Sequence, residues 1–139
     1  MPMRWLFPLL IFLLFTRTEA QMSSGGGIGC PSKVAINQTT STQIVTGTSG
    51  QKLYICSIIL VTAGDQSVSL VEGTGSVCAT NIAAVMGGTS ASISLVAQGG
   101  LSAAAPFAWL RTATAANNLC LLQSGSANVS GVISYRSAP

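Results

Sequence analysis

Histidine is missing from this 139-residue chain. Charge of either sign is scarce, with six lysines and arginines and three aspartates and glutamates, 6% of residues together. Both absences exclude chemistry. Without histidine there is no side chain that titrates near neutrality unperturbed, no Ser-His-Asp triad and no imidazole for zinc. Past residue 20 the only side-chain carboxylates are Asp65 and Glu72. A paired-carboxylate glycosidase would need both in one cleft. Asp65 instead stands beside Gly64 in an expected turn, and Glu72 precedes Gly73 at an expected strand end. Lys33 or Lys52 is available for a Ser-Lys dyad, but Lys52 directly precedes the strongest strand pattern and reads as a solvated end residue. The run Gly25-Gly26-Gly27-Ile28-Gly29 has no strand before it and no helix after it, which excludes a phosphate loop. No catalytic, cofactor-binding or metal site is expected, and the chain reads as a non-enzyme.

The charges past residue 20 are Lys33, Lys52, Asp65, Glu72, Arg111 and Arg136, four positive and two negative, net +2. About a quarter of residues charged is usual for a domain. These six are scattered along the chain, so no basic patch and no nucleic-acid partner are expected. Solubility rests on Ser, Thr, Asn, Gln and Gly. A surface of that kind carries little like-charge repulsion between copies of itself.

What is present begins with a leader. Arg4 is followed by an apolar stretch of 11 residues, Trp5 to Phe15, and then by Thr16 to Ala20. A positive start, an apolar core and a polar exit with small residues form the three-part pattern of a secretory signal. Thr18-Glu19-Ala20 has small residues at both cleavage subsites, so residues 1–20 are expected to be removed. As a helix the apolar stretch covers about 16 Å, roughly half of a ~30 Å hydrocarbon core, so no membrane attachment is expected after cleavage. Residues 21–29 read as a flexible Gly/Ser leader and residues 30–139 as one domain.

All four cysteines, Cys30, Cys56, Cys78 and Cys120, fall in the exported part. An even count in a small secreted chain, with no Cys-x-x-Cys pair, predicts two disulfides, and three pairings are open. The expected location is secreted or on the extracellular surface, the periplasm included.

From Cys30 onward, short runs of β-branched and apolar residues alternate with Gly, Ser, Asn and Asp clusters. Strands are expected at Lys33 to Ile36, Gln43 to Thr46, Lys52 to Thr62, Ser67 to Val71, Ser92 to Ala97, Phe107 to Thr112, Leu119 to Gln123 and Asn128 to Arg136. Lys52 to Thr62 is the strongest. Strict alternation puts Leu53, Ile55, Ile59 and Val61 on one face, and Tyr54, Cys56, Ile58 and Leu60 on the other. A strand apolar on both faces belongs at the centre of a packed structure, or where a second chain covers it. Residues 78–88 read as a long loop pinned by Cys78 and stopped by Gly87-Gly88. About eight short strands without a convincing helix predict an all-β fold, an antiparallel sandwich or jelly roll stapled by two disulfides.

Tyr54, Phe107, Trp109 and Tyr135 are the candidate ligand or interface aromatics. Asn37-Gln38-Thr39 and Asn128-Val129-Ser130 match the N-glycosylation sequon.

From Lys33 to the C-terminus the chain resembles the small jelly-roll structural proteins of tailed phages and phage-like bacterial or metagenomic sequences. The resemblance is carried by Thr48-Ser49-Gly50-Gln51-Lys52-Leu53-Tyr54-Ile55, Leu70-Val71-Glu72-Gly73-Thr74-Gly75, Gln98-Gly99-Gly100, Asn118-Leu119-Cys120-Leu121-Leu122 and Gly131-Val132-Ile133-Ser134-Tyr135. These are strand-and-turn patterns covering about three-quarters of the chain. The resemblance implies a virion or surface structural role, often as a homotrimer packed around an axis, and brings no catalytic residue. The leader and the four cysteines point to a secreted or surface-displayed relative. The expectation is therefore a non-enzymatic, self-assembling surface module. The alternative is a secreted module that binds carbohydrate or another ligand, such as a surface glycan, through Trp109 and Arg111 in a shallow groove.

Overall fold

The computed structural model describes residues 29–139; the leader at 1–20 and most of the Gly/Ser segment lie outside the described residues. The chain is built of strands β1 (Ser32–Gln38), β2 (Thr42–Val45), β3 (Lys52–Thr62), β4 (Gln66–Thr74), β5 (Thr80–Met86), β6 (Ile93–Leu95), β7 (Gly100–Ala104), β8 (Leu110–Arg111), β9 (Asn118–Gln123) and β10 (Val129–Ala138). They form two antiparallel sheets. Sheet A runs β1-β10-β3-β7, with β8 also on β3; sheet B runs β2-β9-β4-β5, with β6 also on β4. Because β5 and β6 share one edge of β4, and β7 and β8 share one edge of β3, the ten segments fill eight strand positions. The chain changes sheet at every connection except from β4 to β6, within sheet B, and from β7 to β8, within sheet A. That order is a jelly roll, as the sequence led us to expect.

The core lies between the sheets. Sheet A contributes Ile36, Leu53, Ile55, Ile58, Leu60, Val129 and Ile133; sheet B contributes Val45, Val68, Leu70, Leu119 and Leu121. Inward and outward positions alternate along the strands except where a bulge intervenes, as a two-layer sandwich requires. Gly131 shows how tightly the centre of sheet A is assembled. A Cβ there would stand 1.9 Å from the Ile59 carbonyl oxygen, so only glycine lets β10 lie against β3.

The disulfides join Cys30 to Cys56 and Cys78 to Cys120. The first ties the segment ahead of β1 to the middle of β3. The second crosses the outer side of sheet B, where fully buried Cys78 and Cys120 cover Val71 beside Leu122. Two disulfides are consistent with an extracellular or otherwise oxidising environment.

Strict alternation fails in β3, and the reason is a bulge. Ser134 pairs with Ser57 but the next residue, Tyr135, pairs with Ile55, leaving Cys56 unmatched. One extra residue reverses the facing of everything beyond it. Ile58 and Leu60 therefore point inward with Leu53 and Ile55, while Ile59 and Val61 point to solvent, 45% and 42% exposed.

Three further expectations are corrected. Residues 78–88 are not a long loop, since β5 pairs along β4. Its alanines and two register shifts blur the period-2 signal. Gly100–Ala104 is a strand with no aromatic or β-branched residue to announce it, and small side chains bring it close to β3. The expected strand at Phe107 to Thr112 shrinks to Leu110–Arg111. Its flanks follow β3 through separate bonds, Trp109 N to Ile55 O (3.1 Å) and Thr112 N to Leu53 O (2.9 Å), rather than a continuous ladder.

Candidate binding face

The solvent face of sheet A follows from its register, because directly opposed residues share a face. Read along β3, that face carries Lys52 and Tyr54, then Ser57, Ile59 and Val61. Tyr54 is paired with Arg136 on one side and Arg111 on the other. Lys52 is paired with Ala138, and Ser57 lies in a row with Ser134 and Lys33. All four cations of the described chain thus sit on one face of one sheet, contrary to what their scatter in the sequence suggests. The two carboxylates lie elsewhere. Glu72, 1% exposed, faces the interior from sheet B and accepts hydrogen bonds from Thr114 N through both oxygens, at 3.2 and 3.4 Å. Asp65 lies in the β3–β4 turn, where Oδ1 accepts from Ala97 N at 2.6 Å and fixes the loop after β6. Seven residues of extended chain hold them about 23 Å apart, so they do not form a carboxylate pair.

Two of the four candidate aromatics come together. Tyr54 and Trp109 line a shallow cleft of about 300 Å3 with Ala108, Leu110 and Arg111. The indole is anchored, its Nε1–H donating to Cys56 O at 3.0 Å, and the residue remains 38% exposed. The Cys56 carbonyl belongs to the bulge, so the bulge helps set the ring's orientation. The Arg136 guanidinium lies over the Tyr54 ring at 5.0 Å from its centroid, and the Tyr54 hydroxyl donates to Pro139 O at 3.3 Å. Phe107, 58% exposed, lies in the β7–β8 connection and does not line the cleft. Tyr135 is paired with inward-facing Ile55 and packs on the core.

The face has two zones. The end at Lys52 and Tyr54 is cationic and aromatic. The end at Ile59 and Val61 is uncharged: Ile59 is flanked by Val132 and Ser102, and Val61 by Ser130 and Gly100. At the border of this second zone the two sequon asparagines meet, Asn128 Nδ2 donating to Asn37 Oδ1 at 2.8 Å. A second shallow cleft, about 360 Å3, lies at the turn end near Asp65, Val96 and three serines.

No protein-family model matches the chain, and no curated protein or solved structure is similar enough to count as a match. The gathering of cations was out of reach of sequence reasoning, because positions 33, 52, 111 and 136 become neighbours only through strand order and register.

Proposed function

We propose that the chain is exported by way of residues 1–20 and acts without catalysis, as a surface-displayed structural module that assembles with copies of itself. The observation that carries this reading is the uncharged zone of sheet A. Ile59 and Val61 stand 45% and 42% exposed on a central strand, whereas an antiparallel sheet that faces water is ordinarily polar on that side. The flanking Ser102, Ser130 and Gly100 are small and Val132 is apolar, so a second copy can approach closely without burying a charge. The disulfides suit a protein that works outside the reducing cytoplasm. A homotrimer is the assembly the jelly-roll resemblance implies.

The test is native mass spectrometry of the exported protein, with and without reductant. The expected species is a trimer whose chains each lack four protons. Ile59→Glu should convert it to monomers while keeping both disulfides and the far-UV circular dichroism. At this exposed site the folding cost is about 1 kcal/mol or less. A wild-type monomer at high concentration would overturn the reading.

A ligand-binding role is favoured by a separate observation, the exposed Trp109 beside Arg111 in the cleft. It uses the other zone of the same face, so the two roles draw on different residues.

A further inference from the structure

We propose that the cationic end of sheet A is a binding site for acidic polysaccharide, a chain of sugar rings bearing carboxylate or sulfate groups. The site is Trp109 with Tyr54, Lys52, Arg111 and Arg136, and Lys33 extends it along the next row. The inference stands whether or not the protein assembles, because none of these residues belongs to the uncharged zone.

Three features of the geometry converge on this ligand. The first is charge. All four described cations lie on this face, and both described side-chain carboxylates lie off it, so its side chains carry positive charge alone. Arginine forks match the planar oxygens of carboxylate and sulfate, and they lose little hydration in doing so. Arg111 and Arg136 flank Tyr54 at paired positions on either side of β3. Their backbones are therefore two strand spacings apart, about 9.6 Å, roughly two sugar rings along an extended chain.

The second feature is the indole. Its N–H is already satisfied by Cys56 O, so the ring is held still and offers its surface rather than a donor. The electron-rich face of an aromatic ring attracts the weakly positive C–H face of a sugar ring.

The third feature separates this ligand from the other polyanion with rings, nucleic acid. Single strands are held by successive bases on successive aromatic side chains along a basic groove. Here the Tyr54 ring carries the Arg136 guanidinium, which leaves Trp109 as the one indole in the cleft. One platform flanked by anion-binding forks suits sparse rings with pendant acids.

The test uses the disulfide-bonded chain and affinity electrophoresis through gels containing polygalacturonate, dextran sulfate or unmodified dextran. Retardation at graded polymer concentrations supplies the dissociation constants, and Trp109 fluorescence titration checks them for the variants that keep the indole. Retardation by at least one acidic polymer and none by dextran is the expected result. Which acidic polymer retards it distinguishes carboxylate from sulfate recognition. Arg111→Gln and Arg136→Gln should each weaken binding about tenfold, with raised salt acting in the same direction. Lys33→Gln should weaken it less.

Trp109→Phe should lower affinity severalfold, and Trp109→Ala further; circular dichroism and a free-thiol assay verify that each variant is folded. Equal affinity for dextran, failure to bind either acidic polymer, or unchanged affinity in both arginine variants would overturn the proposal. Tighter binding of oligothymidylate than of both acidic polymers would also overturn it, and would assign the face to nucleic acid.

Discussion

Removing the two disulfides one at a time should cost unequal amounts, and the structure supplies the difference. Cys30–Cys56 closes a loop with a sequence separation of 26 and Cys78–Cys120 one of 42. Loop-closure entropy alone assigns them about 3.5 and about 4 kcal/mol, a gap too small to measure securely. Packing widens it. Cys78 and Cys120 are fully buried with Val71 and Leu122, whereas Cys56 is 7% exposed and Cys30 only half-buried. Each fully buried sulfur is close to a methylene in size, so Cys78→Ala with Cys120→Ala removes a further ~2 kcal/mol, cavity included.

Only Cys56 of the other pair is buried, which adds ~1 kcal/mol there, so the expected totals are about 6 kcal/mol for Cys78→Ala with Cys120→Ala and about 4.5 kcal/mol for Cys30→Ala with Cys56→Ala. Net stability of a small domain is typically 5–15 kcal/mol. The first variant should therefore lie near the edge of folding and the second should remain folded. Urea unfolding followed by far-UV circular dichroism measures both. That signal avoids Trp109, whose anchor is Cys56 O. Equal losses, or a larger loss for the Cys30 and Cys56 variant, would refute the argument that burial widens the gap that loop length sets.

Gly131→Ala should cost at least about 3 kcal/mol and sharply lower the yield of folded protein, because the new methyl would stand 1.9 Å from the Ile59 carbonyl oxygen and 3.0 Å from Leu60 Cα in the middle of sheet A. Near-native stability in a chemical-denaturation curve would show that β10 can move away from β3 at little cost. Glu72→Gln keeps an acceptor for Thr114 N and should change stability by less than about 1 kcal/mol, while Glu72→Leu leaves that buried N–H without its acceptor and should cost about 1–3 kcal/mol. Equal unfolding midpoints for the two variants would show that the hydrogen bond is not what holds the segment before β9.

The sequence alone was enough for whatever depends on local pattern and composition. Lys52 to Thr62 stands out as the strongest strand because eight of its eleven residues are apolar, aromatic or cysteine, and it is β3 with those same ends. Four cysteines without histidine or a Cys-x-x-Cys pair read as two disulfides, and two are present. The strand count was legible at the level of eight positions. The ten segments that fill them were not, because β7 is built of glycine, serine, alanine and one leucine with little β signal of its own, and the paired alanines and two register shifts of β5 blur its period.

The tertiary structure alone decided which cysteines pair and which residues face outward. A single unmatched residue, Cys56, turns Ile59 and Val61 from expected partners of Leu53 and Ile55 into exposed groups. No local pattern marks a bulge that exists only in relation to β10. The binding face has the same origin. Lys33, Lys52, Arg111 and Arg136 are far apart in sequence, and antiparallel pairing of β1, β10, β3 and β8 brings them onto one surface. Side-chain period is a property of one strand and can be read along the chain; register is a property of two, and exists only once both are in place.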